Sequence, residues 1–106
     1  MKVVHASRYS ASMTCLQGYI STTYAELSDA FGPPTVTDSY DGKVSAEWIL
    51  KIGNKWPVVI TIYDYKEKET PKDYYNWHVG GHSREVLTLL EKIVEYKNMD
   101  ATVKGA

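Results

Sequence analysis

Between residues 44 and 52 the chain alternates without a break. Val44, Ala46, Trp48, Leu50 and Ile52 fall on one side, and Lys43, Ser45, Glu47, Ile49 and Lys51 on the other. A period of two over that length predicts a strand buried on one face, with Trp48 in the core. Two further runs obey the same rule. Residues 58–65 set Val58, Ile60 and Ile62 against Val59, Thr61, Tyr63 and Tyr65. Residues 74–79 set Tyr75, Trp77 and Val79 against Tyr74, Asn76 and His78. Gly53-Asn54-Lys55 turns the chain after the first run, and Pro57 stands at the start of the second, where its missing N–H does little harm. The charged stretch 66–72 (KEKETPK) is a solvated loop. These signals predict an antiparallel meander.

Helical signals flank it. Thr23-Tyr24-Ala25-Glu26 has the spacing of a capping box, in which the Thr hydroxyl takes the third helical N–H. Leu27, Ala30 and Phe31 form an apolar stripe, Gly32 supplies a C-terminal cap, and Pro33-Pro34 forbid continuation. A second helix is predicted over 83–96, with Val86, Leu87, Leu90, Ile93 and Val94 as its apolar face. Residues 2–6 are a β-prone run, 8–12 a loop, 16–20 too short to assign, and 99–106 a polar tail expected to fray. The expected fold class is α+β: a single domain over 1–106, with a three- to four-stranded antiparallel meander and two helices packed on one face.

Totals narrow the function classes. A chain of 106 residues is one domain, and a net charge of −1 gives no field for long nucleic acid. No apolar run approaches membrane-spanning length, and the expected location is cytoplasmic. Cys15 is the only cysteine, so no intrachain disulfide forms, and a lone thiol is expected in or near the core. No motif of a hydrolase, metalloprotease or P-loop is present. Dyads of Cys15 with a histidine, or of Asp64 with His78, lack supporting spacing. The chain reads as a non-enzyme without a cofactor. His78 and His82 are four residues apart, but Gly80 and Gly81 between them argue against a shared helix face and a zinc site.

The candidate site residues are chosen by chemistry. Gly80-Gly81 before the second helix is either a tight turn or a backbone nest for an anion, and the two readings are compatible. Arg8 and Arg84 are the only guanidinium groups, able to grip phosphate through two hydrogen bonds at once. Tyr63 and Tyr74 can stack a base, or else pack a helix or a second subunit. Asn76 and His78 can hydrogen-bond a ribose or a base edge. The apolar character of Ile49, Val59, Tyr63 and Tyr65 on the second sheet face predicts a homo-oligomer, a dimer or higher.

Four segments in order also carry a resemblance: AFGPP at 30–34, GKVSAEW at 42–48, VITIYDYK at 59–66 and YNWHVGG at 75–81. They are similar to a pattern of FGxP, AEW, TIYDYK and WHIGG in a group of small phage-encoded accessory proteins, with Val79 where isoleucine is usual. The chain also looks similar to phage sponge proteins of the Thoeris anti-defence type. That likeness implies an oligomeric, non-enzymatic binder of a cyclic ADP-ribose variant or a cyclic oligonucleotide. It assigns no binding residue. The expected function is therefore sequestration of a small phosphorylated nucleotide signal. The alternative is a protein-binding inhibitor of a host enzyme that uses the 66–72 loop and the tyrosines.

Overall fold

Thr23 starts the first helix as its side chain predicts: its hydroxyl accepts the Glu26 N–H at 3.1 Å. The helix, α1, runs Tyr24–Phe31 and stops at Gly32, whose φ of +81° favours glycine. A computed structural model describes residues 2–106. It contains seven strands: β1 (Val3–His5), β2 (Cys15–Thr22), β3 (Val36–Thr37), β4 (Ala46–Ile52), β5 (Val58–Tyr63), β6 (Tyr75–Gly81) and β7 (Thr102–Gly105). A 3-10 turn spans Arg8–Ala11, and the second helix, α2, spans Glu85–Tyr96.

All pairings are antiparallel, in the order β1-β4-β5-β6-β2-β7, with β3 also on β4. The predicted meander β4-β5-β6 is there, extended on both sides by strands distant in sequence. Since neighbours are antiparallel, β2 runs parallel to β5 across β6, and β6 runs parallel to β7 across β2. The connection through α2 is thus a split β-α-β unit, whereas α1 carries the chain from β2 to β3 and β4 on the far side of the sheet.

Both helices cover one face, as the class expectation required. Leu27 and Phe31 of α1 join Val86, Leu87, Leu90 and Ile93 of α2 over Ile20, Trp48, Leu50, Ile60, Ile62, Trp77 and Val79. Each such side chain contributes about 1.5–3 kcal/mol when fully withdrawn from water. Trp48 and Trp77 meet edge to face at 5.5 Å. Their indole N–H groups donate to the carbonyls of Gly32 and Thr22, so neither ring buries an unmet donor.

Several expectations need correction. The sheet has seven strands rather than three or four. The tail expected to fray forms β7, because Gly18 to Ser21 of β2 offer it a free edge. Residues 16–20 belong to an eight-residue strand whose period is broken by a bulge between Leu16 and Gly18. Residues 8–11 form the 3-10 turn rather than a loop. Cys15 is exposed, at the outer end of β2. Gly80 and Gly81 are strand residues opposite Leu16 and Cys15, and neither has a positive φ, so they form neither a turn nor a nest.

Candidate functional site

The face that the helices leave uncovered is ordered by strand register. Glu47 lies opposite Tyr63, Tyr63 opposite His78, His78 opposite Tyr19, and Tyr19 opposite Lys104. Five strands therefore place a carboxylate, three rings and an ammonium in one line, at about 4.8 Å per strand. A parallel polar row follows on the inner strands, Asn76 opposite Ser21 and Ser21 opposite Thr102. On the other side lie Ile49, Thr61 and Gly80, all buried. The 3-10 turn packs against β4 and β5 there, and Ala6 N–H donates to the Ile49 carbonyl.

His78 is the centre of the line. Tyr63 stacks on it at 5.3 Å and 27°, Tyr19 meets it edge-on at 5.2 Å, and Tyr65 lies 5.6 Å away. Burial holds its pKa below the ordinary histidine value, with the charges of Asp64 and Glu67 pulling the other way. Its Nδ1 is shielded and has no hydrogen-bond partner among the described residues. Burial also raises the Tyr63 phenol, helped by the Glu47 charge.

Glu47 itself is half-buried. Burial raises its carboxyl above the usual range, and Arg8 lowers it through its field rather than through a hydrogen bond. The two side chains line an open cleft of about 290 Å³, with Val36, Ser39, Tyr40 and Asp41 as its remaining walls. Tyr40 is fully exposed. Asp41 is held low by the Ser39 hydroxyl and the Lys43 amide, which fix the turn that carries Tyr40.

Of the predicted site residues, Arg8, Tyr63, Asn76, His78 and Gly80 belong to this face. Three do not. Tyr74 precedes β6, and its hydroxyl donates to the Asp100 carboxylate, which raises the phenol and ties it to the connection between α2 and β7. Arg84 is the residue before α2, and its guanidinium lies over Gly105 of β7, on the helix side. Gly81 faces Val86, whose Cγ1 would stand 2.6 Å from an added Cβ. Its lack of a side chain serves close packing of strand on helix, whereas that of Gly80 makes room for Thr61 Oγ1 of the neighbouring strand on the other face.

Tyr19, Glu47, Ser21 and Lys104 were not singled out as site residues. Their signal lies in cross-strand register, which places residues 19, 47 and 104 in one line and which local periodicity does not reveal. Asp64 is no partner for His78. Its carboxylate is fully buried and accepts from Ser45 N–H, Ala46 N–H and Ser45 Oγ at 2.8, 3.0 and 2.5 Å. The segments at 42–48 and 59–66 thus meet through a structural carboxylate, as those at 30–34 and 42–48 meet through Trp48 and Gly32.

Among the described residues no His, Cys, Asp or Glu group could hold a metal ion. No helix among them is long and apolar enough to cross a membrane. No family model, curated protein or solved structure matches the chain.

Proposed function

We propose that the chain is a non-enzymatic binder of a small nucleotide-derived ligand, held on the sheet face that the helices leave uncovered. One observation carries this reading: the continuous line Glu47-Tyr63-His78-Tyr19-Lys104, with rings at its centre and opposite charges at its ends. A planar base covers the ring cluster, ribose hydroxyls meet Ser21 and Asn76, and Lys104 or Arg8 takes the phosphate. A platform already packed against itself loses little side-chain entropy on binding. With phosphate moved away from Gly80-Gly81 and Arg84, the residues of the reading are Arg8, Tyr19, Ser21, Tyr63, Asn76, His78 and Lys104.

Tight binding without turnover suits sequestration of a nucleotide immune signal in an infected bacterial cytoplasm, the role implied by the likeness to phage sponges. A homo-oligomer goes with it, although Ile49 is already covered by its own chain. The exposed apolar side chains open to a second copy include Val4, Trp56 and Val58, around the turn at residues 53–57, with Tyr9, Met13 and Leu16 besides. Light scattering that returns only a monomer mass at high concentration sinks the oligomer.

Calorimetry against mononucleotides, cyclic dinucleotides, cyclic trinucleotides and cyclic ADP-ribose variants tests the function, with mass spectrometry of the recovered ligand. Binding of an intact ligand that Tyr63→Ala and His78→Ala each weaken at least about 10-fold supports it. A cleaved product makes the protein an enzyme. Silence across the panel, with one stoichiometric partner captured from host lysate, favours the protein-binding inhibitor instead.

A further inference from the structure

The cleft at the acidic end of the aromatic line holds two side chains of opposite charge that do not satisfy one another. Glu47 projects from β4 directly beside Tyr63, is half-buried, and among the described residues accepts no hydrogen bond. Arg8 approaches from the 3-10 turn, close enough for its field to act on Glu47 yet making no hydrogen bond to it. Between them and the exposed Tyr40 ring lies the open volume of about 290 Å³. A half-buried carboxylate is costly to keep without a partner, and a cation at hand that leaves it unpaired leaves room for a third group.

The order of charges defines what that group must present. A carboxylate takes adjacent N–H donors, and a guanidinium takes adjacent acceptors through two hydrogen bonds. Guanine carries both in sequence around its rim: the exocyclic amine and N1–H as donors on the Watson–Crick edge, then O6 and N7 as acceptors on the Hoogsteen edge. Adenine offers an acceptor nitrogen where guanine has N1–H and a donor amine where guanine has O6. Both Glu47 and Arg8 would then face groups of the wrong sign. Pyrimidines do not present two adjacent N–H donors beside two adjacent acceptors.

We propose that Glu47 and Arg8 read a guanine base, Glu47 accepting from the amine and N1–H while Arg8 donates to O6 and N7. The proposal rests on the nucleotide-binding reading of the same face and specifies its base. Tyr40 lines the cleft and supplies ring contact, Tyr63 lies beside Glu47 on the next strand, and the ribose and phosphate extend from there over the ring cluster. A ligand with a second base would lay it over His78 and Tyr19.

The test is calorimetry of the full chain with 5′-GMP, 5′-IMP and 5′-AMP. Discrimination by a paired set of hydrogen bonds predicts GMP bound at least about 10-fold more tightly than AMP. IMP, which lacks only the amine, should fall between them. Glu47→Gln should reduce GMP affinity about 10-fold without weakening AMP, and Arg8→Ala should erase the remaining preference. Thermal melts confirm that both variants fold. Amide shifts of Glu47, Tyr63 and Tyr40 on GMP titration of the unmodified protein locate the base without any substitution. Equal binding of GMP and AMP, lost in Tyr63→Ala, overturns the guanine assignment and leaves the aromatic face standing. A GMP preference that survives Glu47→Gln overturns it too. No binding of any of the three overturns the assignment, and silence across the wider nucleotide panel as well overturns the reading beneath it.

Discussion

Single residues here divide into those that close the fold and those it leaves open, and Asp64 and Glu47 are the contrasting pair. Both are carboxylates near the same end of the sheet. Asp64 has three donors within hydrogen-bond distance and no exposure. Removing it orphans the backbone N–H groups of Ser45 and Ala46 and leaves the Ser45 hydroxyl only Thr70, so Asp64→Ala should lose about 3 kcal/mol in urea unfolding. Ligand affinity per folded molecule should not change, because Asp64 faces no part of the cleft. Glu47 should behave in the opposite way. Its burial without a partner opposes folding, so Glu47→Gln should unfold at an equal or higher urea concentration, by up to about 1 kcal/mol after solvent screening. A residue whose replacement stabilises the protein and weakens its ligand belongs to a site rather than to the core. A clear loss of stability in Glu47→Gln would make its carboxylate structural after all.

At the scale of elements, legibility followed locality. The three alternating strands, the Thr23 cap and the α2 stripe were readable because each is set within about ten residues by period or capping. β7 was not, because Thr102 to Gly105 become a strand only through the edge of β2, more than eighty positions away. β2 was hidden by its own bulge. Gly80-Gly81 misled for a related reason: glycines before a helix resemble a turn locally, whereas these answer to Thr61 and Val86 across the packing. Gly18 gives a direct test. An added Cβ there would meet the Lys104 carbonyl and stand 2.9 Å from Leu87 Cδ2, so Gly18→Ala should cost about 1–3 kcal/mol. Deleting residues 102–106 should cost about 2 kcal/mol by itself, through the lost ladder and the half-buried Val103. Because β7 supplies part of the obstruction at Gly18, the two changes together should cost less than their sum. Strict additivity would place β7 away from β2.

For the whole molecule, the uncovered face should be visible in how stability varies with pH, since two of its groups titrate away from their ordinary values in opposite senses. His78 has its folded-state pKa depressed, chiefly by burial, with Asp64 and Glu67 partly offsetting that. The unfolded chain therefore takes up the proton first. The contribution of His78 is fully present above its ordinary value of 6.5 and is lost as pH falls through the lower folded value. Glu47 has its folded-state pKa raised by burial, with Arg8 opposing. Its contribution is fully present below the ordinary value of 4.5 and is lost as pH rises through the higher folded value. The two overlap in weakly acidic solution and partly cancel, so the unmodified protein should show a flattened profile there. Single variants separate them. His78→Gln should keep more of its neutral-pH stability on acidification from pH 7 to pH 5 than the parent does. Glu47→Gln should gain stability over the parent at pH 7 and lose that advantage by pH 4. Urea midpoints at pH 4, 5, 6 and 7 for the three proteins measure this directly. If His78→Gln follows the parent over the whole range, His78 titrates alike in folded and unfolded chains, and the ring cluster does not shield it from water.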